Sequence, residues 1–171
     1  LNVVSKDVGV WNGADPGSWG TSANWTGTSP SATSSAVVGA GEAIVSGFSA
    51  AAETLIIDGG KVTVTGSLTV ANDTHVLDSG ELEVSEEFWT GGLNTAGTTT
   101  LTGTALVTVD TLDVTGGTTS VAADLLAETG MNVGPAGTLN IGATAVLETP
   151  MLNSSGTTTI DVHDEGLGAF A

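Results

Sequence analysis

Apolar and polar positions alternate in short bursts along this chain, and the bursts recur. Each begins with a glycine and ends four residues later on an aliphatic side chain. The phrase appears as Gly41-Glu-Ala-Ile-Val45, Gly60-Lys-Val-Thr-Val64, Gly80-Glu-Leu-Glu-Val84 and Gly97-Thr-Thr-Thr-Leu101. It continues as Gly117-Thr-Thr-Ser-Val121, Gly137-Thr-Leu-Asn-Ile141 and Gly156-Thr-Thr-Thr-Ile160. The glycines are 19, 20, 17, 20, 20 and 19 residues apart. Self-similarity at a fixed period near twenty is the signature of a solenoid.

Strand alternation assigns faces within each phrase. The second and fourth residues after the glycine form one face, and the fourth is aliphatic in every copy, so this face points inward. The first and third residues point outward. A second apolar burst follows in most repeats (Leu68/Val70, Leu106/Val107/Val109, Leu125/Leu126, Val146/Leu147). A third precedes the next glycine (Leu55/Ile57, Val76/Leu77, Leu112/Val114, Met131/Val133, Met151/Leu152). Three short strands per repeat, separated by turns, predict an all-β fold: a right-handed parallel β-helix of about seven rungs near twenty residues each. Each phrase glycine is expected at a corner that needs positive φ or close backbone approach.

Three regions follow. Residues 1–10 read as a strand, with Val4, Val8 and Val10 on one face and Val3 on the other. It has no partner in the repeat, so it is expected to add to a sheet edge of this solenoid or of a neighbouring molecule. Residues 11–40 are rich in Gly, Ser and Thr and hold Trp11, Trp19 and Trp25, which are expected to cap the apolar end of the first rung. Stacking of carbohydrate on exposed indoles is the alternative use of these rings. Residues 41–171 are the solenoid. The short repeat between Gly80 and Gly97, with Phe88 and Trp89, is expected to be an irregularity in the stack, with a docking spot for a partner as the alternative. After Ile160 the apolar residues are Val162, Leu167 and Phe170, with no amphipathic helix to cover the last rung.

Composition sharpens this picture. Two lysines and no arginine face nineteen acids, for a formal charge of −17. Such a surface disfavours nucleic acid and anionic membrane as partners. No run of 18 apolar residues is present, so no membrane insertion by a helix is expected. The scarcity of basic residues leaves few sites for trypsin-like proteases, which suits an exposed extracellular protein. There is no cysteine, hence no disulfide and no thiolate metal site.

The order Trp11-Asn12-Gly13, Gly17-Ser18-Trp19, Asn24-Trp25, Pro30 and Val37-Val38-Gly39, followed by Gly/Thr/Val rungs, resembles bacterial extracellular β-solenoid proteins with autotransporter-associated β-strand repeats. The resemblance covers nearly the whole chain. It implies a secreted, autotransporter-passenger-like solenoid, located outside the cell or at its surface, and leaves the route of secretion open.

Catalytic chemistry finds little footing. His75 and His163 are far apart in the repeat order, and no nucleophile elbow, phosphate loop or dinucleotide fingerprint is present. Acid pairs such as Glu81/Glu83, Glu86/Glu87 and Asp110/Asp113 read as solvated carboxylates, not as a hydrolase pair. The chain is therefore expected to be no enzyme and to need no cofactor. Asp58, Asp78, Asp110, Asp113 and Asp161 fall near rung corners and are weak candidates for structural Ca²⁺. Thr98, Thr118, Thr138 and Thr157 should stack outward beside Thr100, Ser120, Asn140 and Thr159; such a ladder suits an exposed strand face, with ice binding a lesser alternative.

The leading functional expectation is structural. An open solenoid end presents unpaired backbone and apolar core. Head-to-tail stacking would cover it, using Leu1, Val3, Val4, Val8 and Val10 of one copy and Ile160, Val162, Leu167 and Phe170 of the next, and would give a fibre because the contact does not close. The partner is then the chain itself, as a homopolymer, with extracellular polysaccharide a second candidate. An adhesin-type binding module is the alternative function.

Overall fold

The computed structural model describes residues 7–13 and 15–161. The strands, in chain order, begin with β1 (Val8–Trp11), β2 (Gly17–Ser18), β3 (Trp25–Gly27), β4 (Ser35–Val38), β5 (Glu42–Ala52) and β6 (Leu55–Ile57). They continue with β7 (Lys61–Val70), β8 (Thr74–Val76), β9 (Glu81–Val84), β10 (Glu87–Thr95), β11 (Thr98–Leu101) and β12 (Leu106–Val114). The last are β13 (Thr118–Val121), β14 (Asp124–Val133), β15 (Thr138–Ile141), β16 (Leu147–Glu148), β17 (Leu152–Ser154) and β18 (Thr157–Ile160). Each strand from β5 to β15 pairs in parallel with strands one turn before and one turn after it. The molecule is a parallel β-solenoid of about seven turns.

The glycine phrases build the first of its three faces. Val45, Val64, Val84, Leu101, Val121 and Ile141 lie side by side in one inward column, and none is more than 4 % exposed. Ala50, Leu68, Phe88, Val107 and Leu125 form the inward column of the second face. Ile57, Val76, Thr95, Val114 and Val133 form one on the third. Period-two alternation puts one residue of each pair in the core, and register kept along each face repeats that choice from coil to coil, the two shifts falling between Ser46 and Ser49 and between Val109 and Thr111.

Two details differ from the sequence expectation. Separate strands for the three faces are not kept throughout: β5 and β7 run from the first face onto the second, while β10, β12 and β14 run from the second onto the third. Nor is the short repeat a defect. Phe88 and Leu93 are fully buried, and β10 keeps register with β7, β8 and β12. Its missing residues come out of corners: Ala96-Gly97 stands where the preceding coil has residues 77–80, and Gly91-Gly92 continue the strand where that coil turns through 71–73.

Glycine makes tight corners workable by close approach. A Cβ on Gly97 would lie 2.3 Å from the carbonyl oxygens of Gly80 and Leu77. At Gly117 the two causes combine, since φ is +59° and a Cβ would fall 2.0 Å from the Gly97 oxygen.

The solenoid also begins earlier than residue 41. Ser35–Val38 already lies parallel to β6, with Ala36 opposite Leu55 and Val38 opposite Ile57, and Gly17–Ser18 lies parallel to the start of β5. The segment 11–40 is thus cap and partial first coil together. Residues 8–11 join the same structure: β1 is held between β4, in parallel, and β3, antiparallel.

Candidate functional site

The N-terminal end is closed by its own chain. Trp11, Trp19 and Trp25 are 6 %, 4 % and 6 % exposed. Trp25 takes the centre, with T-shaped contacts to Trp11 (centroids 5.0 Å, 74°) and to Trp19 (4.8 Å, 71°). Its Nε1 donates to the Trp19 carbonyl at 2.8 Å. Edge-to-face pairs place ring edges on negative faces and add to the burial term. Rings so covered form the expected cap and present no platform for sugar.

Of the two placements expected for the first strand, its described residues take the one within this chain. Both edges of β1 are taken within the chain, Gly9 and Val10 pairing with Gly27 and Thr26 on one side and with Ala36 and Val37 on the other. Val8 and Val10, at 39 % and 44 % exposure, point outward, but their backbone is not available for donation to a neighbour. Leu1, Val3 and Val4 lie outside the described residues.

The other end differs. Strands β16, β17 and β18 each pair with β14 or β15 on one side and, among the described residues, with nothing on the other. Ile160, aligned with the core residue Ile141, is 55 % exposed; Met151 is 52 % and Leu152 36 % exposed. Val162, Leu167, Phe170 and His163 lie outside the described residues.

Outward columns carry the polar chemistry. On the first face Glu42, Lys61 and Glu81 are neighbours, beside Thr63 and Glu83. The Lys61 Nζ is 2.8 Å from Glu83 Oε2 and 4.0 Å from Glu42 Oε1, and the Thr63 hydroxyl donates to Glu42 Oε1. The hydrogen bond to Glu83 raises the Lys61 pKa above its ordinary value, against the opposing effect of partial burial; the charges of Glu83, Glu42 and Glu81 add to the rise. Farther along the face the columns become Thr98–Thr118–Thr138–Thr157 and Thr100–Ser120–Asn140–Thr159, in the register the sequence predicts.

The five candidate aspartates are spread out. Asp58, Asp78, Asp110 and Asp161 are exposed at corners or strand ends. Asp113, half-buried on the third face, accepts a hydrogen bond from Asn132 Nδ2 at 2.7 Å. Among the described residues no three of His, Asp and Glu converge in a way that could hold a metal ion. His75 stands outward on the third face, between Ile56 and Asn94.

The sequence groups Leu106 with its apolar neighbours Val107 and Val109. Alternation separates them: Val107 and Val109 point in, and Leu106 points out at 56 % exposure. With Trp89 (37 %) and Val146 (55 %) it puts exposed apolar side chains on the outer side of the second face.

No family model, curated protein or solved structure matches this chain. What its own geometry defines is a parallel β-solenoid, covered by tryptophans at its first turn and with exposed apolar residues on its last described coil.

Proposed function

We propose that this chain is a structural subunit of a secreted extracellular fibre, in which solenoids stack head to tail. The difference between the two ends is the observation that carries the reading. The first turn is covered by a tryptophan cluster, whereas the last described turn leaves the core column at Ile160 and the strand edges of β16–β18 for a further coil to cover. On a neighbour, β2 and β3, which among the described residues pair only with β5 and β1, would offer the receiving edges in place of a donated β1. A rod of repeated parallel coils with so few basic residues suits the extracellular, passenger-like setting implied by the resemblance to autotransporter-associated repeats.

The test uses the full chain and a variant carrying Met151→Asp and Ile160→Asp. The parent is expected to form fibres under the electron microscope and to grow in mass with concentration by light scattering. The double variant is expected to remain as single particles. A parent that stays monomeric at high concentration sinks the proposal. Removal of residues 1–6, which leaves β1 in place, is expected to preserve the seal at the other end.

A further inference from the structure

We propose that the outer side of the second face, over the C-terminal half of the rod, docks a cationic amphipathic segment of another protein. Four coils contribute two outward residues each: Glu87 and Trp89, Leu106 and Thr108, Asp124 and Leu126, then Val146 and Glu148. Glu87, Leu106 and Asp124 are neighbours in one column, and Trp89, Thr108, Leu126 and Glu148 in the other. Val146 completes the first column beside Asp124, its carbonyl accepting the Leu125 N–H at 2.9 Å. The apolar side chains therefore zigzag between the columns, and carboxylates fill three of the positions between them. Leu106, Leu126 and Val146, with Asp124 and Glu148, line a groove of about 170 Å³.

Charge selects the occupant. Among the described residues no cation pairs with Glu87, Asp124 or Glu148; the ion pairs found there are those of Lys61, on another face. A second copy would bring the same carboxylates and, of cations, only two lysines to offset nineteen acids. Nucleic acid and anionic lipid are repelled for the same reason. A lysine or arginine side chain fits both parts of the pattern, its aliphatic stem against Leu106, Leu126 and Val146 and its charged head at Asp124 or Glu148, while an apolar neighbour covers Trp89. Four coils at ~4.8 Å spacing give ~15 Å of track, which a helix of about ten residues spans. The surface lies on the flank of the rod, so it is independent of end-to-end stacking.

The test opposes charge to apolar contact. The probes are a synthetic amphipathic peptide of Leu and Lys and an oligolysine of equal charge, titrated against the full chain by calorimetry. The Leu–Lys peptide is expected to bind about tenfold more tightly than oligolysine, as a few buried apolar groups allow. Leu106→Asp with Val146→Asp adds two negative charges, so attraction by net charge alone would strengthen binding. Docking on the groove instead predicts about a tenfold loss for the Leu–Lys peptide, with oligolysine unchanged or tighter. Both positions are more than half exposed, and circular dichroism checks that the fold is kept; Trp89→Ser repeats the test without adding charge. Equal affinity for the two peptides, or a double variant that binds the Leu–Lys peptide as well as the parent, overturns the proposal.

Discussion

Thr99 and Thr119 occupy the same inward column on adjacent coils, both fully buried. The Thr99 hydroxyl donates to Thr95 Oγ1 at 3.2 Å, whereas Thr119 Oγ1 has no partner among the described residues. A buried hydroxyl without a hydrogen bond loses its hydration and gains nothing in return. Thr119→Val, nearly the same in shape, is therefore expected to stabilise the protein by about 1 kcal/mol, and Thr99→Val to destabilise it by a similar amount by orphaning Thr95. Urea titration of the two variants checks the opposite signs; a loss of stability in both would mean that Thr119 is satisfied in solution. The repeat phrase alone shows that both threonines face inward. Which one finds a partner depends on the third strand of the coil before, and the sequence carries no mark of that.

Corners set the limits at the scale of elements. Gly117 and Gly47 both have positive φ, but their surroundings differ: a Cβ on Gly117 would meet the backbone of the previous coil, and one on Gly47 would meet nothing within 4 Å. Alanine at position 47 should cost about 1 kcal/mol, the strain of the left-handed conformation. At position 117 the stacked coils must also separate, and the expected loss is about 3 kcal/mol or more. Thermal melts of the two variants rank the costs, and equal losses would refute close approach as the reason for glycine. Registers of the phrase strands were legible in the sequence down to the residue, because their aliphatic residue recurs four places after each glycine. The partial first coil was not, since Gly17–Ser18 and Ser35–Val38 lack the phrase and are fixed by pairing with β5 and β6. The regularity of the 17-residue coil was hidden as well, because length lost at corners leaves strand register intact. Trp89 and Leu106 were visible as apolar residues, but their outward direction emerges only when alternation is counted from the buried Phe88 and Val107.

For the whole molecule, charge opposes compactness. A net charge of −17 with two lysines crowds carboxylates together, as with Glu42 on the coil before Lys61 and Glu81 and Glu83 on the coil after it. Salt at about 150 mM cuts the screening length to about 8 Å from about 30 Å at 10 mM. The melting temperature is accordingly expected to rise by about 5 °C over that range. Calorimetry at the two ionic strengths measures it, and a temperature that falls with salt would show that attractive pairs outweigh the repulsion.

The tryptophan-sealed end also gives the chain a direction in which to fold. A parallel coil gains its hydrogen bonds only from a coil already in place, and each strand here finds that template about one turn back in sequence. The antiparallel β1–β3 pair and the three indoles are assembled from residues 8–27 alone, so they can form before most of the ladder exists. They supply a first surface, and each following coil becomes the mould for the next. Order can thus spread from the N-terminal end as a front.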